Sequence, residues 1–166
     1  MKFKFTKKDI VKALKTEPLY FNSFFSVVGS KEELKKCNVC AVGAVMRSNN
    51  ALMNWAGQRL SYMGGHITRD ECVSNPIQCL SFTENMCYLK DLLNDLLLDK
   101  NYMGALSVYF ESLAWDSPYL LRNWYANHAI TNNPRKGRMT ARSKKNRAKV
   151  IKFVQKHFPK TITVTL

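Results

Sequence analysis

The last fifty residues of this 166-residue chain contain no carboxylate side chain. All twelve Asp and Glu lie at or before Asp116, together with fourteen Lys and Arg, so residues 1–116 carry a net charge of only +2. Residues 117–166 carry twelve Lys and Arg, a net charge of +12. A block of like charge repels itself in the free protein and is stabilised by phosphates or an acidic surface, so this asymmetry predicts a polyanionic partner.

Two further absences narrow the class of protein. No apolar run approaches the roughly eighteen residues that a membrane span requires, and the N-terminus lacks the apolar core of a signal peptide. The five cysteines are odd in number and accompany no secretory signal, which favours reduced thiols over a disulfide framework. We therefore expect a cytoplasmic protein that does not bind membranes.

Motifs for catalysis and metal binding are also scarce. Neither a P-loop nor a serine-nucleophile motif is present. Cys37 and Cys40 have the C-x-x-C spacing of zinc and redox sites, but no second such pair completes a four-ligand set. The pair leads directly into the apolar segment 41–45, where cysteine packs as a small hydrophobic residue. We predict packing thiols, with no metal and no cofactor, and keep a zinc site as the alternative.

The apolar residues predict a mainly α protein of the α+β class, in one compact domain spanning residues 1–166. Hydrophobic residues make up 46% of the chain, enough for a core at this length. Capping residues and apolar periodicity predict six or seven helices, at about 6–17, 30–48, 51–63, 81–96, 103–115, 118–130 and 140–157. Alternating segments predict strands at 2–5 and 161–166, which form a small sheet that joins the termini, and a further strand at 24–28.

Residues 1–133 form the helical body. The basic C-terminal part that follows divides into three segments. Residues 134–139 have loop composition and high charge, which predicts a mobile basic loop. The helix that follows extends the basic segment to residue 160, and residues 161–166 form the terminal strand. In that helix five cations fall at steps of three and four, within an arc of roughly 80° at 100° per residue. They are Arg142, Lys145, Lys149, Lys152 and Lys156.

An apolar stripe on the opposite side of this helix predicts that it packs by one face and presents cations on the other. The cationic row is roughly 21 Å long, which matches several backbone phosphates. We predict nucleic-acid contacts from the row and from nearby cations. The full candidate set is Arg135, Lys136, Arg138, Arg142, Lys144, Lys145, Arg147, Lys149, Lys152 and Lys156. RNA is favoured because Tyr119, Trp124 and Tyr125 offer faces for unpaired bases, although each is more often a core residue.

A seven-residue segment upstream suggests a competing, catalytic function. Arg122, Asn123 and His128 resemble the Arg, polar residue, spacer and His motif of the HEPN superfamily of helical ribonucleases. The resemblance implies that Arg122 and His128 form a catalytic pair supported by Asn123, with RNA as the substrate. Chemically, Arg can stabilise charge that develops on a phosphate and His can transfer a proton. A metal-independent ribonuclease is therefore one alternative function.

Two short strings, residues 40–44 and Phe158-Pro159, resemble fragments of small phage and prophage proteins of unknown function. That resemblance implies an inhibitor of bacterial defence, including anti-CRISPR proteins that occupy a guide RNA or its channel. The leading hypothesis is a non-catalytic protein that binds RNA or a ribonucleoprotein. The alternatives are the ribonuclease and a module that binds an acidic protein surface.

Overall fold

In the computed structural model, the two ends of the chain lie side by side. The structure describes residues 2–20, 39–54, 86–113 and 132–165. Strand β1 (Lys2–Thr6) pairs antiparallel with the last strand, Thr161–Thr165, so that Phe3 lies opposite Val164 and Phe5 opposite Ile162. These four apolar side chains are buried, and the alternate residues of both strands are exposed. The predicted sheet that joins the termini is confirmed.

Helix α1 (Lys7–Thr16) follows β1 directly, because Thr6 ends the strand and caps the helix. The Thr6 hydroxyl accepts a hydrogen bond from the Asp9 amide at 3.1 Å and donates one to the Asp9 carboxylate at 2.6 Å. Such a cap satisfies an amide that would otherwise lack a partner. Ile10 and Leu14 lie one turn apart on one face and are fully buried. The predicted first helix is confirmed.

The next helix begins later than the sequence predicts. Val39 forms a parallel bridge with Leu19, and Cys40 is extended, so helix α2 spans only Ala41–Arg47. The prediction of one continuous helix from residue 30 to 48 is therefore wrong at residues 39 and 40, where the β-branched Val39 pairs with another segment. The proposed cap at Ser30 lies outside the described residues. Helical structure resumes at residues 50–54, where the Asn49 side chain accepts a hydrogen bond from the Leu52 amide at 3.0 Å.

Helices α3 (Met86–Leu98) and α4 (Tyr102–Ser112) pack against each other across a short connection. The Asn101 side chain caps α4 by accepting a hydrogen bond from the Gly104 amide at 2.9 Å. A Cβ at position 104 would lie 2.8 Å from that side chain, so the close cap requires glycine here. The predicted helices at 81–96 and 103–115 are confirmed over their described parts. The one predicted at 118–130 and the strand predicted at 24–28 lie outside the described residues.

The basic segment after residue 131 forms a small hairpin instead of the predicted mobile loop. Strand β2 (Asn132–Asn133) pairs with β3 (Arg138–Met139), and a 3-10 turn at Pro134–Lys136 joins them. Gly137 closes this turn in the left-handed conformation, with φ of 64°. The loop composition thus produces an ordered turn, because proline and glycine occupy the positions that favour it.

Helix α5 (Ala141–His157) completes the fold and leads into strand β4 (Thr161–Thr165). Its first turn is capped by Thr140, whose hydroxyl accepts a hydrogen bond from the Ser143 amide at 3.1 Å. Helix α5 packs on α1 and α4, and α2 packs on the same two helices, so these four surround the core. The core includes Leu14, Met46, Leu106 and Val150. The mainly helical class is confirmed.

The core position of Leu14 generates a stability prediction. Leu14 has 0% exposure, so Leu14→Ala removes buried methyl groups and leaves a cavity. We expect the free energy of unfolding to fall by about 2–5 kcal/mol. Lys15→Ala, at the next position on the exposed side of α1, is the control and changes it by less than about 0.5 kcal/mol. Urea denaturation measures both, and equal losses in the two variants would contradict the observed packing of α1.

Candidate polyanion-binding surface

The exposed side of α5 carries most of the predicted cationic row. Arg142, Lys145, Lys152 and Lys156 are exposed, whereas Lys149 is half-buried. Lys144, on a neighbouring part of the helix, is also exposed. Helix α5 contains no Asp or Glu, so no carboxylate on the helix itself offsets these charges. Its surface is therefore a strip of positive charge along most of its length.

Burial of the opposite side fixes which way the cations point. Val150 and Val154 have 0% exposure, and Phe158, just after the helix, is 3% exposed. The Phe153 ring stacks on Tyr109 of α4, with centroids 4.2 Å apart and planes 7° from parallel. Since these contacts hold α5 on two sides, the helix cannot rotate without losing them. The core thus keeps the cationic side facing outward.

His157 adds little charge to the end of this strip. Burial lowers the pKa of His157 below its ordinary value, and the neighbouring positive charge of Lys156 lowers it further. The ring contacts Phe153, with centroids 4.9 Å apart. At neutral pH the imidazole is therefore mainly uncharged, and the lysines and arginine provide the charge of the strip.

The hairpin extends the positive surface beside the start of α5. Arg135, Lys136 and Arg138 are all exposed. Arg135 forms an ion pair with the Glu17 carboxylate while 59% of its side chain remains exposed. Its guanidinium is thus partly engaged within the protein. Lys136 and Arg138 are the hairpin cations most available to a partner.

Arg147 corrects the predicted surface, because it points into the protein. It is 7% exposed, and its Nη1 donates hydrogen bonds to the backbone oxygens of Leu14 and Glu17, the latter at 2.8 Å. Its Nη2 donates to the Asn132 side-chain oxygen at 2.8 Å. These three contacts join the end of α1, the hairpin and α5. Arg147 is therefore an internal connector and is removed from the set of surface cations.

Burial and the nearby negative charge have opposing effects on the pKa of the Arg147 guanidinium. Burial lowers the pKa of Arg147 to about 10, and the negative charge of Glu17 acts in the opposite direction. The guanidinium is still protonated at neutral pH. A buried charge requires compensating hydrogen bonds. The oxygens of Leu14, Glu17 and Asn132 provide them.

Glu17 is the shared acceptor of this cluster, and no pattern in the sequence pointed to it. Its carboxylate also accepts a hydrogen bond from Arg47 at 2.7 Å, and both side chains are about nine-tenths buried. Asn132 donates to the Leu19 oxygen, which ties the hairpin to the segment after α1. A sequence signal did exist for Arg147. It lies three residues before Val150 and seven before Val154, a spacing that places it on the apolar face.

Several other candidate residues lie outside the described residues. They are the proposed catalytic residues Arg122, Asn123 and His128, the aromatic candidates Tyr119, Trp124 and Tyr125, and Cys37 of the C-x-x-C pair. The ribonuclease hypothesis thus stays a prediction. Cys40 is described and is 2% exposed within the core. In the part of the chain that the structure describes, no group of three or more His, Cys, Asp or Glu side chains is arranged to hold a metal ion.

The comparisons and the search for membrane spans add no identification. Comparison of the chain with protein-family models, with curated protein sequences and with solved structures gave no match. Within residues 2–20, 39–54, 86–113 and 132–165, no helix has the length and apolar character needed to cross a bilayer. The candidate function therefore depends on the chemistry of the surface itself.

The position of Arg147 leads to a prediction that separates stability from binding. Arg147→Met removes the guanidinium and leaves the oxygens of Leu14, Glu17 and Asn132 without this donor. We expect a loss of about 3–5 kcal/mol in the free energy of unfolding, measured by urea denaturation. Lys145→Met, two residues earlier on the exposed side, is the matched control and changes stability by less than about 0.5 kcal/mol. A stable Arg147→Met protein with weakened RNA binding would instead make Arg147 a surface contact.

Proposed function

We propose that this protein is a non-catalytic binding protein for RNA or a ribonucleoprotein, which it contacts through the exposed side of α5 and the adjoining hairpin. The observation that supports the proposal best is the division of α5 into two sides. Its apolar side is packed in the core, while Arg142, Lys145, Lys152 and Lys156 face outward with no carboxylate on the helix. These four cations make no contribution to the core and are available to a partner.

Phosphate is the chemical group that this arrangement suits best. The lysines repeat at one-turn spacing along α5, so their ammonium groups follow a line. A nucleic-acid backbone also carries its charges along a line, and binding releases the counterions condensed on it. Mutual repulsion among the lysines in the free protein falls when phosphates lie between them. Binding should accordingly weaken steeply as the salt concentration rises.

Anionic membranes and acidic proteins are the competing polyanions. A membrane-binding amphipathic helix inserts its apolar side between lipids. Val150 and Val154 are buried against other helices, so α5 cannot do this without leaving the fold. An acidic protein surface would need carboxylates in a row that matches the lysine spacing. RNA has such a row of negative charges in its backbone, one phosphate for every nucleotide, and we favour RNA for that reason.

The resemblance to phage-encoded inhibitors makes a guide RNA inside a defence nuclease one specific form of this proposal. The same cationic strip would then bind exposed guide phosphates and block their use. Binding to the assembled nuclease, with no binding to the nuclease lacking its guide, would support this narrower version.

The proposal predicts that charge reversal on α5 abolishes RNA binding without unfolding the protein. The variant Lys145→Glu, Lys152→Glu, Lys156→Glu changes three exposed side chains and leaves the half-buried Lys149 in place. We expect affinity for single-stranded RNA to fall by at least about a hundredfold at moderate salt, because attraction becomes repulsion. Fluorescence anisotropy measures the affinity, and circular dichroism checks that helix content and Tm are unchanged.

A matched control reverses three exposed lysines elsewhere: Lys2→Glu, Lys4→Glu, Lys90→Glu. It changes the net charge equally, so binding that falls as much as in the α5 variant would indicate a general charge effect and count against a defined site.

The RNA recovered after incubation with the wild-type protein also tests the alternative functions. Cleavage that disappears in Arg122→Ala and His128→Ala would support the ribonuclease. A protein that co-purifies after nuclease treatment would support an acidic protein partner.

A further inference from the structure

An open groove runs between α1 and α5 on the outside of the protein. It has a volume of about 690 Å³, and Lys8, Lys12 and Lys15 of α1 line one side. Gln155 of α5 lines the other side, Lys160 lies at one end, and Val11 contributes to the apolar lining. The sequence pattern pointed to α5 and to the basic segment before it, so these cations of α1 have no function assigned so far.

The two helices are antiparallel, and contacts at both ends hold them. At one end the Lys7 amide donates to the Lys160 oxygen at 2.8 Å, and the Lys7 ammonium donates to the Gln155 oxygen at 3.2 Å. At the other end Arg147 donates to the oxygens of Leu14 and Glu17. The groove therefore follows the full length of α1.

The α1 lysines form a second row of positive charge beside the strip on α5. Lys8, Lys12 and Lys15 are exposed and lie at steps of four and three, which places them on one side of the helix. Of the described α5 residues, Gln155 lines the groove. At 100° per residue it lies about 100° around α5 from the middle of the cationic strip, so the strip faces outward beside the groove.

None of the described residues that line this groove carries a carboxylate. Asp9 is engaged by the Thr6 hydroxyl at the start of α1, and Glu17 is buried with its arginine partners. Positive charge is thus concentrated along the α1 edge and at Lys160, where it favours an anionic chain over a neutral one.

The interior of the groove has a different character from its edges. It is lined by Val11 and by the methylene stems of the lysines, while their ammonium groups reach toward water. Among the lining residues that the structure describes, none is aromatic. Apolar walls with one cationic edge suit a chain that has flat or apolar parts between regularly spaced anions. Contacts to phosphates carry no direct information on base identity.

We propose that this groove binds one extended strand of single-stranded RNA, with Lys8, Lys12 and Lys15 of α1 and Lys160 at its end contacting the phosphates. This inference rests on the proposed RNA-binding function and adds α1 as the second half of the site. Packed helices have axes about 8–10 Å apart, so the groove between them is narrow. A double helix is too wide to enter such a groove. The major groove of the duplex alone is about 12 Å wide, enough to admit a whole α-helix.

The test neutralises the α1 row with Lys8→Gln, Lys12→Gln, Lys15→Gln. The probe is a labelled oligouridine of about 16 nucleotides, and anisotropy titrations at several salt concentrations give the affinity and its salt dependence. We expect affinity to fall at least about tenfold and the slope of log K against log salt to decrease by about 2. Each single-strand phosphate contact accounts for about 0.7 of that slope. The charge-preserving variant Lys8→Arg, Lys12→Arg, Lys15→Arg should retain both values.

The result is compared with the α5 charge-reversal variant, so that the two proposals can fail separately. Loss of binding in the α5 variant, with unchanged affinity and slope in the α1 variant, would overturn the groove and leave the proposed function standing. Unchanged binding in both variants would overturn both proposals. Tighter binding of wild-type protein to a duplex of equal length would also overturn the single-strand groove. An unchanged Tm in the Gln variant ensures that a binding loss reports on contacts.

Discussion

The buried guanidinium of Arg147 is the interaction on which the arrangement of the basic helix depends. It donates to backbone oxygens at the C-terminal end of α1, those of Leu14 and Glu17, and to the side chain of Asn132 in the hairpin. The first helix of the chain therefore meets the hairpin and α5, more than a hundred positions later, at one side chain. A buried charge is expensive unless its partners are in place, so this contact favours one relative position of the three parts over alternatives. Glu17 reinforces it by binding Arg47 and Arg135 nearby.

Two kinds of contact then orient α5 about its own axis. Arg147 and Val150 point toward α1 and the core, and Phe153 stacks on Tyr109 of α4. The remaining side has no packing function, and that side carries the exposed cations. On this one helix, the residues available for binding are thus different from the residues that stabilise the fold. For that reason surface charges on α5 can be changed with little effect on the core, whereas Arg147 cannot.

Charge is also distributed unevenly over the described part of the molecule. Asp91 and Asp95 of α3 and Asp99 just after it are exposed, and α3 packs on α4. The cations of α1 and α5 lie on two other helices, which pack against each other. Such a separation of charge orients a protein as it approaches a polyanion and raises the rate of productive encounter. The modest net charge of residues 1–116 conceals this pattern, because it sums α1, with four Lys and one Asp, with the acidic residues elsewhere in that part of the chain.

Features that depend on neighbours along the chain could be predicted from the sequence. The starts of α1 and α5, the apolar stripe of α5 and the alternation in the two terminal strands are all local patterns, and the structure confirms them. The break at Val39 and Cys40 depends on a bridge to Leu19, and the burial of Arg147 depends on acceptors more than a hundred positions away. Both features follow from tertiary contacts, because a local pattern does not specify a distant partner. The pairing of α1 with α5, which places the α1 lysines and the α5 strip on adjacent helices, follows from tertiary contacts as well.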